Sequence, residues 1–241
     1  LRSLVGSEMC IRDRVYVIEL NLRASRSMPF SSKAKGVNLA EAAAKAMLGK
    51  GLEIDCEFWE PESRSWAVKT PQFSWSRVRG AYPFLGPEMR STGEVASLGY
   101  SYEDALVKSW LSATPNRIPE KAVLIYSYVE RDQGDLAETA KILGKAYELY
   151  TLEGAEIPGV DRVVRVEEAI GKMIRREIEL GITTGYTPAR DYRVRRMLVD
   201  LNIPVILHHD TAREVATSIE WLLKGGSVSV AELNEYRGRG F

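Results

Sequence analysis

The chain contains 241 residues, of which 45% are hydrophobic, so it is long and apolar enough for one large globular domain or two smaller ones. Lysine plus arginine and aspartate plus glutamate number 33 each, and this zero net charge argues against a protein that binds nucleic acid through bulk positive charge. No apolar stretch approaches the roughly 20 residues of a membrane span, and two cysteines, Cys10 and Cys56, favour a reducing cytoplasm over a disulfide framework.

The amino-terminal segment, residues 1–14, differs from the rest of the chain. Its sequence LRSLVGSEMCIRDR begins without methionine and has neither the apolar core of a signal peptide nor the alternation of a strand. It resembles translated sequencing-adapter sequence, and we exclude it from the prediction of the fold; the alternative is a genuine loop of a truncated domain. Under either interpretation we expect the chain to be a fragment of a longer protein.

The first third of the chain mixes short strands with capped helices. Residues 15–20 form a short run rich in β-branched side chains, which indicates a strand. The stretch NLAEAAAKAMLGKG predicts a helix that Asn38 caps, with Glu41 three residues later in the capping-box position. Pro71 interrupts the extended stretch SWAVKTPQFSW and favours an irregular or edge strand. A further strand is predicted in STGEVASLG, and Ser101 is expected to cap the next helix.

The stretch TPNRIPEK, with two prolines among polar residues, predicts a linker over residues 114–120. Beyond it, the apolar run AVLIYSY is typical of a parallel strand that is buried on both faces. Helical patterns, the first over residues 135–145, then alternate with strands, which predicts a parallel α/β sandwich. The last strand, IPVILHH, would direct His208 and His209 to opposite faces and so disfavours a metal site, and a Thr211/Glu214 capping box would begin the helix after it.

Four polar residues lie within eight positions at the end of the first predicted strand. In an extended strand Glu19 and Asn21 share one face, and two oxygen ligands at this spacing suit Mg²⁺. Arg23 and Arg26 come just after the strand and suit bidentate contact with phosphoryl or carboxylate oxygens. The combination describes a phosphoryl-transfer site; the alternative is a surface salt-bridge cluster at a strand end.

A longer context carries a family resemblance. The segments VYVIELNLRASRSMPFSSKAKGVNLAEAAAKAMLGK and VKTPQFSWSRVRGAYPFLGPEMRSTGEVASLG, the latter containing the run GPEMRSTGEV, closely resemble the large subunit of carbamoyl-phosphate synthetase. The resemblance implies an α/β fold in which residues 15–113 end the second, carbamate-phosphorylating ATP-grasp half. Residues 121–241 would then be the carboxy-terminal regulatory domain of methylglyoxal-synthase type.

The resemblance also implies roles for individual residues. Glu19 resembles the family's shared Mg²⁺ and ATP ligand, and Asn21 its companion metal ligand. Arg23 and Arg26 match arginines at the transferred phosphoryl group and the carbamate. Lys69 and Glu94 match charged residues near the inner end of the carbamate tunnel, although a structural ion pair explains them equally well. Leu22 departs from the family's usual proline in E-x-N-P-R, and we expect a loop adjustment there without loss of the chemistry.

The implied cofactors are ATP and Mg²⁺ or Mn²⁺. The parent enzyme would make carbamoyl phosphate from bicarbonate, glutamine-derived ammonia and ATP, by way of carbamate, for arginine and pyrimidine biosynthesis. Its partner would be the small subunit, a glutamine amidotransferase, and we expect it in the cytoplasm. Most of the nucleotide pocket has no counterpart in this sequence, so the chain alone is expected to be inactive.

The regulatory-type domain resembles its family in layout more than in motif. Lys141 matches a basic effector contact, and Thr183 and Thr184 lie at a predicted strand end where the family has phosphate-binding hydroxyls. The family's T-x-G-T, however, reads LEGA at residues 152–155, which removes two threonines and adds the carboxylate of Glu153. We therefore expect weak or absent binding of a nucleotide effector, and a packing domain with a degenerate site is the alternative.

Two other functions remain open from the sequence. A different ATP-grasp carboxylate ligase, such as a biotin carboxylase, shares E-x-N-x-R but does not explain GPEMRSTGE. A free-standing effector-binding module would leave residues 15–113 as a vestigial partner. The arginines of YRVRRML lie mostly on one predicted helical face and are interpreted as solvated or paired.

Overall fold

The computed structural model describes residues 8–11, 14–17, 23–51, 65–86 and 88–237, with backbone alone for the first two of these ranges. The described residues form two compact units, one up to Gly51 and one from Ser65 onward. Among them, no helix is both long and apolar enough to cross a membrane.

The first unit begins with two short antiparallel strands. Strand β1 (Glu8–Ile11) pairs with β2 (Arg14–Val17), so that Glu8 lies opposite Val17. Five of the residues that we excluded from the fold, residues 8–11 and Arg14, thus lie in strands. The predicted strand over residues 15–20 is confirmed for its described part, which ends at Val17.

Two helices complete the described part of the first unit. Helix α1 (Met28–Lys35) ends at Gly36, whose left-handed backbone (φ 72°) suits glycine. Helix α2 (Leu39–Met47) begins as predicted, because the Asn38 side chain accepts a hydrogen bond from the backbone N–H of Glu41 at 3.1 Å. Ser32 joins the helices, since its hydroxyl accepts a hydrogen bond from the Leu39 N–H.

The second unit opens with a two-stranded antiparallel sheet. Strand β3 (Trp66–Gln72), which contains Pro71, and strand β4 (Gly93–Gly99) confirm the two predicted strands, and the structure shows that they pair. Helix α3 (Tyr102–Ser112) packs against both strands, and the Ser101 side chain caps it by accepting from the Asp104 N–H.

A five-stranded parallel sheet forms the rest of this unit, in the order β7-β6-β5-β8-β9. Helices follow the strands on both faces, which confirms the predicted α/β class. In chain order the elements are β5 (Ala122–Tyr126), α4 (Glu130–Leu143), β6 (Glu148–Leu152), β7 (Arg162–Val164), α5 (Val166–Ile174), β8 (Ile178–Thr183), α6 (Pro188–Asp200), β9 (Val205–Ile206), α7 (His209–Leu223) and α8 (Leu233–Arg237).

Alternate residues of the central strand β5 pack into two separate hydrophobic cores, one on each face of the sheet. Val123 and Ile125 pack with the apolar faces of α4 and α7, whereas Leu124 packs with α5 and α6 on the other side. Strand β5 is buried along its whole length, as its continuous apolar sequence predicts. Helix α3 packs on α7, so the predicted linker 114–120 lies inside one compact unit and the boundary between residues 15–113 and 121–241 stays a prediction.

Three local predictions were wrong in this unit. Helix α4 begins at Glu130, five residues before the predicted start. Strand β9 ends at Ile206, so His208 is the N-cap of α7 and His209 its first residue. The predicted Thr211/Glu214 capping box does not exist, because Thr211 lies inside that helix.

Candidate functional site

The strand-end cluster is described only in part. Glu19 and Asn21, the predicted metal ligands, lie outside the described residues, as does Leu22. Arg23 and Arg26 precede α1, and both are exposed. The Arg23 guanidinium makes a long, local hydrogen bond of 3.4 Å to the carbonyl of Ala24. Both guanidinium groups are thus accessible to an anionic ligand.

Lys69 and Glu94 lie on the neighbouring strands β3 and β4. Their Nζ and Oε1 atoms are 3.9 Å apart, which makes them a loose ion pair. Lys69 lies opposite Ala96 and Glu94 opposite Pro71, so the pair runs diagonally across the ladder. The side chain of Glu94 is 19% exposed and that of Lys69 40% exposed. This geometry fits the ion-pair interpretation and leaves the lysine accessible to solvent.

The carboxyl edge of the parallel sheet is the second candidate site. Strands β5 and β8 are neighbours there, and the chain leaves them toward opposite sides of the sheet, which is where ligands bind in open α/β sheets. Ser127 follows β5 and Thr184 follows β8. The Thr184 hydroxyl donates to the Ser127 Oγ at 3.0 Å, and both residues are buried.

The two predicted phosphate-binding threonines are engaged within the protein. The Thr183 hydroxyl accepts from Arg195 Nη2 at 3.2 Å, and the Thr184 carbonyl accepts from the same nitrogen at 2.9 Å. Thr183 is fully buried. A ligand at this strand end would therefore have to displace existing hydrogen bonds.

Lys141 lies at the other end of the sheet. It belongs to the last turn of α4, the helix that starts at the carboxyl edge and leads back to the amino end of β6. The parallel crossover thus separates Lys141 from Thr183 and Thr184 along the strand direction. The structure does not bring these three predicted effector residues together, and the role of Lys141 stays a prediction.

Carboxylates occupy the loop after β6. The Gly154 N–H, in a left-handed turn (φ 74°), donates to the Glu156 carboxylate at 2.8 Å, and this bond holds the pKa of Glu156 below its ordinary value. Glu153 lies 3.7 Å from the Arg165 guanidinium after β7. The two groups that could bind a phosphate here, the Gly154 N–H and the Arg165 guanidinium, are therefore already in contact with carboxylates.

Arg190 is a further cation at this loop. The Arg190 guanidinium lies over the Tyr128 ring, 4.1 Å from its centroid, and a side chain at position 154 would approach Arg190 Nη2 to 3.3 Å. Burial is the main cause that raises the pKa of Tyr128. The edge thus combines an aromatic ring and a guanidinium with two acidic side chains, a mixed surface for a ligand.

Behind this edge lies a buried ionic network that the sequence did not reveal. Arg195 Nε donates to Asp191 Oδ2 at 2.6 Å, and its Nη1 donates to the Pro83 carbonyl at 3.0 Å. The Tyr82 hydroxyl donates to Asp191 Oδ1 at 2.7 Å and accepts from the Thr187 N–H at 3.1 Å. Burial, and then the bond to Asp191, raise the pKa of Tyr82 to about 12.

The next arginine extends this network to the β3–β4 connection. Arg196 Nη1 donates to the carbonyls of Trp75 and Ala81, both at 3.0 Å, and its other guanidinium nitrogen pairs with Asp200. Of the two interpretations of these arginines, solvated or paired, the structure supports pairing, because Arg195 and Arg196 pair with carboxylates and are only 1% and 7% exposed. A sequence signal existed in the i, i+4 spacing of Asp191 and Arg195, which places them on one face of α6.

Comparisons with known proteins bear on both sites. A family model described as carbamoyl-phosphate synthase L chain, ATP binding domain, matches residues 9–55, which contain the strand-end cluster. The carbamoyl phosphate synthase large chain of Pyrococcus furiosus is 46% identical over 233 residues, or 95% of this chain and 22% of the relative. Those of Saccharolobus islandicus and Hyperthermus butylicus are 46% and 47% identical over 92% and 93% of this chain, in each case 21% of the relative.

The chain thus spans only 21–22% of the length of these relatives, yet the similarity includes almost all of its own residues. This similarity extends over both described units and confirms the resemblance that the sequence motifs predict. In sequence, the chain is a homologue of one segment of the carbamoyl phosphate synthase large chain.

Proposed function

We propose that the chain is the carboxy-terminal part of a glutamine-dependent carbamoyl-phosphate synthase large chain. The observation that carries this proposal is the identity of 46% that extends through both units to large chains of that name. The reaction would be the ATP-dependent phosphorylation of carbamate in a cytoplasmic enzyme of arginine and pyrimidine biosynthesis. Bicarbonate would be the carbon source, and a small glutaminase subunit would supply ammonia.

The strand-end cluster would serve the phosphoryl transfer. A carboxylate and an amide oxygen are hard ligands that suit Mg²⁺ or Mn²⁺, so Glu19 and Asn21 would hold the metal and Glu19 would also contact ATP. The bound ion would neutralise charge on the phosphates. The exposed guanidinium groups of Arg23 and Arg26 would orient the carbamate and the transferred phosphoryl group by bidentate hydrogen bonds.

Lys69 and Glu94 would act at the passage by which carbamate arrives. Lys69 can donate to the carboxylate of carbamate, Glu94 can accept from its amino group or from a water, and the loose 3.9 Å pairing favours exchange of partners. Residues 121–241 would be the methylglyoxal-synthase-like domain. Its carboxyl edge, with the contacts of Glu153 and Glu156, would bind a phosphorylated effector weakly at most.

The proposal is tested with the isolated chain and with a chimera. The chain alone should neither hydrolyse ATP nor form ATP from ADP and carbamoyl phosphate. A Pyrococcus furiosus large chain in which residues 15–241 of this chain replace the homologous segment should make carbamoyl phosphate with its glutaminase subunit. A folded chimera without this activity would contradict the proposed function, and ATP formation by the isolated chain would contradict its dependence on a parent.

A further inference from the structure

The two histidines of the chain lie side by side at the start of α7. His208 is the N-cap residue and His209 the first helical residue, and their rings stack with centroids 4.6 Å apart. Both lie at the carboxyl end of the edge strand β9, and they belong to no site described above. A strand would have directed the two imidazoles to opposite faces. Because α7 starts here instead, the two rings lie next to each other.

A carboxylate completes the cluster. Asp210 Oδ2 lies 3.9 Å from His208 Nδ1 and 3.5 Å from His209 Nε2. One ligand atom from each of the three residues lies within 4.8 Å of the others. The second carboxylate oxygen, Oδ1, lies 3.4 Å from the Arg213 guanidinium, which leaves Oδ2 directed at the imidazoles. Two nitrogens and one oxygen thus lie close enough together to share one ion.

We propose that His208, His209 and Asp210 bind a divalent transition metal ion of the Zn²⁺ class. Tetrahedral ligands about 2.0–2.1 Å from zinc stand roughly 3.4 Å apart, so small side-chain rotations bring these three atoms to coordination distance. The side chains are 49%, 26% and 55% exposed, which permits such rotations and gives the ion access from solvent. At least one coordination position remains for water or an outside ligand.

The charges and ligand types around the cluster favour a transition metal ion over Mg²⁺ or Ca²⁺. The amino terminus of α7 and the guanidinium of Arg213 both disfavour a cation that is held by charge alone, as Mg²⁺ and Ca²⁺ are. Imidazole nitrogens bind zinc, copper and nickel with substantial covalent character, and a carboxylate beside them adds the charge that the site needs. The Glu214 carboxylate lies 3.5 Å from Arg213 and partly offsets that positive charge.

The test is a Zn²⁺ titration of the whole chain without an affinity tag, in a Cys10→Ser/Cys56→Ser background that removes the thiols. Calorimetry or competition with a chromophoric chelator should reveal one saturable site per chain. His208→Ala, His209→Ala and Asp210→Asn should each weaken Zn²⁺ binding at least about tenfold, and the double histidine variant should abolish the site. Asp161→Asn, at an exposed carboxylate elsewhere, is the matched control and should bind as the parent does.

A second readout is independent of affinity. Because the chain has only two histidines, nuclear magnetic resonance should show two imidazole Cε1–H signals, and both should shift or broaden together as Zn²⁺ or Co²⁺ is added. An alkylated wild-type chain serves if the cysteine variant does not fold. Absence of saturable binding, or binding that survives the double histidine substitution, would overturn the proposal.

Discussion

Arg195 and Asp191 form a fully buried ion pair within one turn of α6, with 2.6 Å between Arg195 Nε and Asp191 Oδ2. Both side chains make further hydrogen bonds, to Tyr82 and Pro83 of the β3–β4 connection and to the carboxyl end of β8. A buried charge pair is tolerable only with such additional partners, because desolvation of both ions is costly. The pair therefore holds the β3–β4 connection against the parallel sheet.

Removal of one partner from this pair should be strongly destabilising. Arg195→Gln leaves Asp191 without its cationic partner in the interior, and the expected loss is about 3–5 kcal/mol in the free energy of unfolding. Urea denaturation followed by circular dichroism measures it. Arg193→Gln, which breaks the exposed pair with Glu167, is the matched control and should cost at most about 1 kcal/mol. Equal small losses in both variants would contradict the buried network.

The Tyr82 hydroxyl should matter for stability at high pH. Because its pKa is raised to about 12, from 10.0, its contribution is complete below pH 10 and is lost as the pH rises toward 12. Tyr82→Phe should destabilise the neutral protein by about 1–3 kcal/mol, since Asp191 and the Thr187 N–H lose a partner. Urea denaturation at several alkaline pH values should measure the stability of Tyr82→Phe. The control is Tyr192→Phe, because the Tyr192 hydroxyl donates to the Gly80 carbonyl and not to the buried network. The same alkaline slope in wild type and Tyr82→Phe would refute the assignment.

Asp104 should contribute stability that acid removes. Burial opposes its ionisation, but hydrogen bonds from Ser229, the Tyr100 N–H and Lys108 outweigh burial and lower its pKa below 3.8. Its contribution is therefore present above that value and is lost as the pH falls through the lowered pKa. Asp104→Asn should cost about 1.5–3 kcal/mol at neutral pH, and the difference from wild type should shrink in acid. Asp135→Asn, at an exposed position, should change little, and a pH-independent difference for Asp104→Asn would be inconsistent with this account.

Nucleotide binding at the carboxyl edge should be weak and limited by carboxylates. Calorimetry should detect little or no binding of uridine or inosine monophosphate to the chain. Glu156→Ala frees the Gly154 N–H and removes a negative charge, so it should strengthen phosphate binding by about tenfold, the equivalent of about 1.4 kcal/mol. Lys141→Ala, at the opposite edge, tests the predicted effector contact: unchanged binding would assign the site to the carboxyl edge, whereas lost binding would support the role of Lys141. Tight binding by the wild type that depends on Lys141 would show that the edge described above is the wrong site.

The sequence correctly predicted helix starts and a buried strand, because neighbouring residues in the chain determine these features. Asn38 and Ser101 cap their helices as their sequence positions indicate, and the apolar run of β5 became the central buried strand. The burial of Arg195 could not be predicted in this way. Its partner Pro83 lies 112 positions earlier in the chain, and arginine in a polar helix sequence is normally solvated.

The start of α7 shows a second limit of the sequence. The apolar residues before His208 predicted a longer strand, but β9 is an edge strand that pairs with β8 only at Val205 and Ile206. The helix then begins at His209, which places Thr211 inside it and cancels the predicted capping box. The length of an edge strand depends on where pairing with its single neighbour stops, and the sequence of the strand alone does not contain that information.

The central claim is that residues 15–113 belong to the half of the synthase that phosphorylates carbamate. Its most direct test is Glu19→Gln in the Pyrococcus furiosus chimera, with the two partial reactions measured side by side. Loss of the inferred metal ligand should nearly abolish ATP formation from ADP and carbamoyl phosphate, because the phosphoryl charge is no longer neutralised. Bicarbonate-dependent ATP hydrolysis, which we expect from the other ATP-grasp half, should remain largely intact. Equal loss of both reactions, or unchanged ATP formation, would contradict the claim.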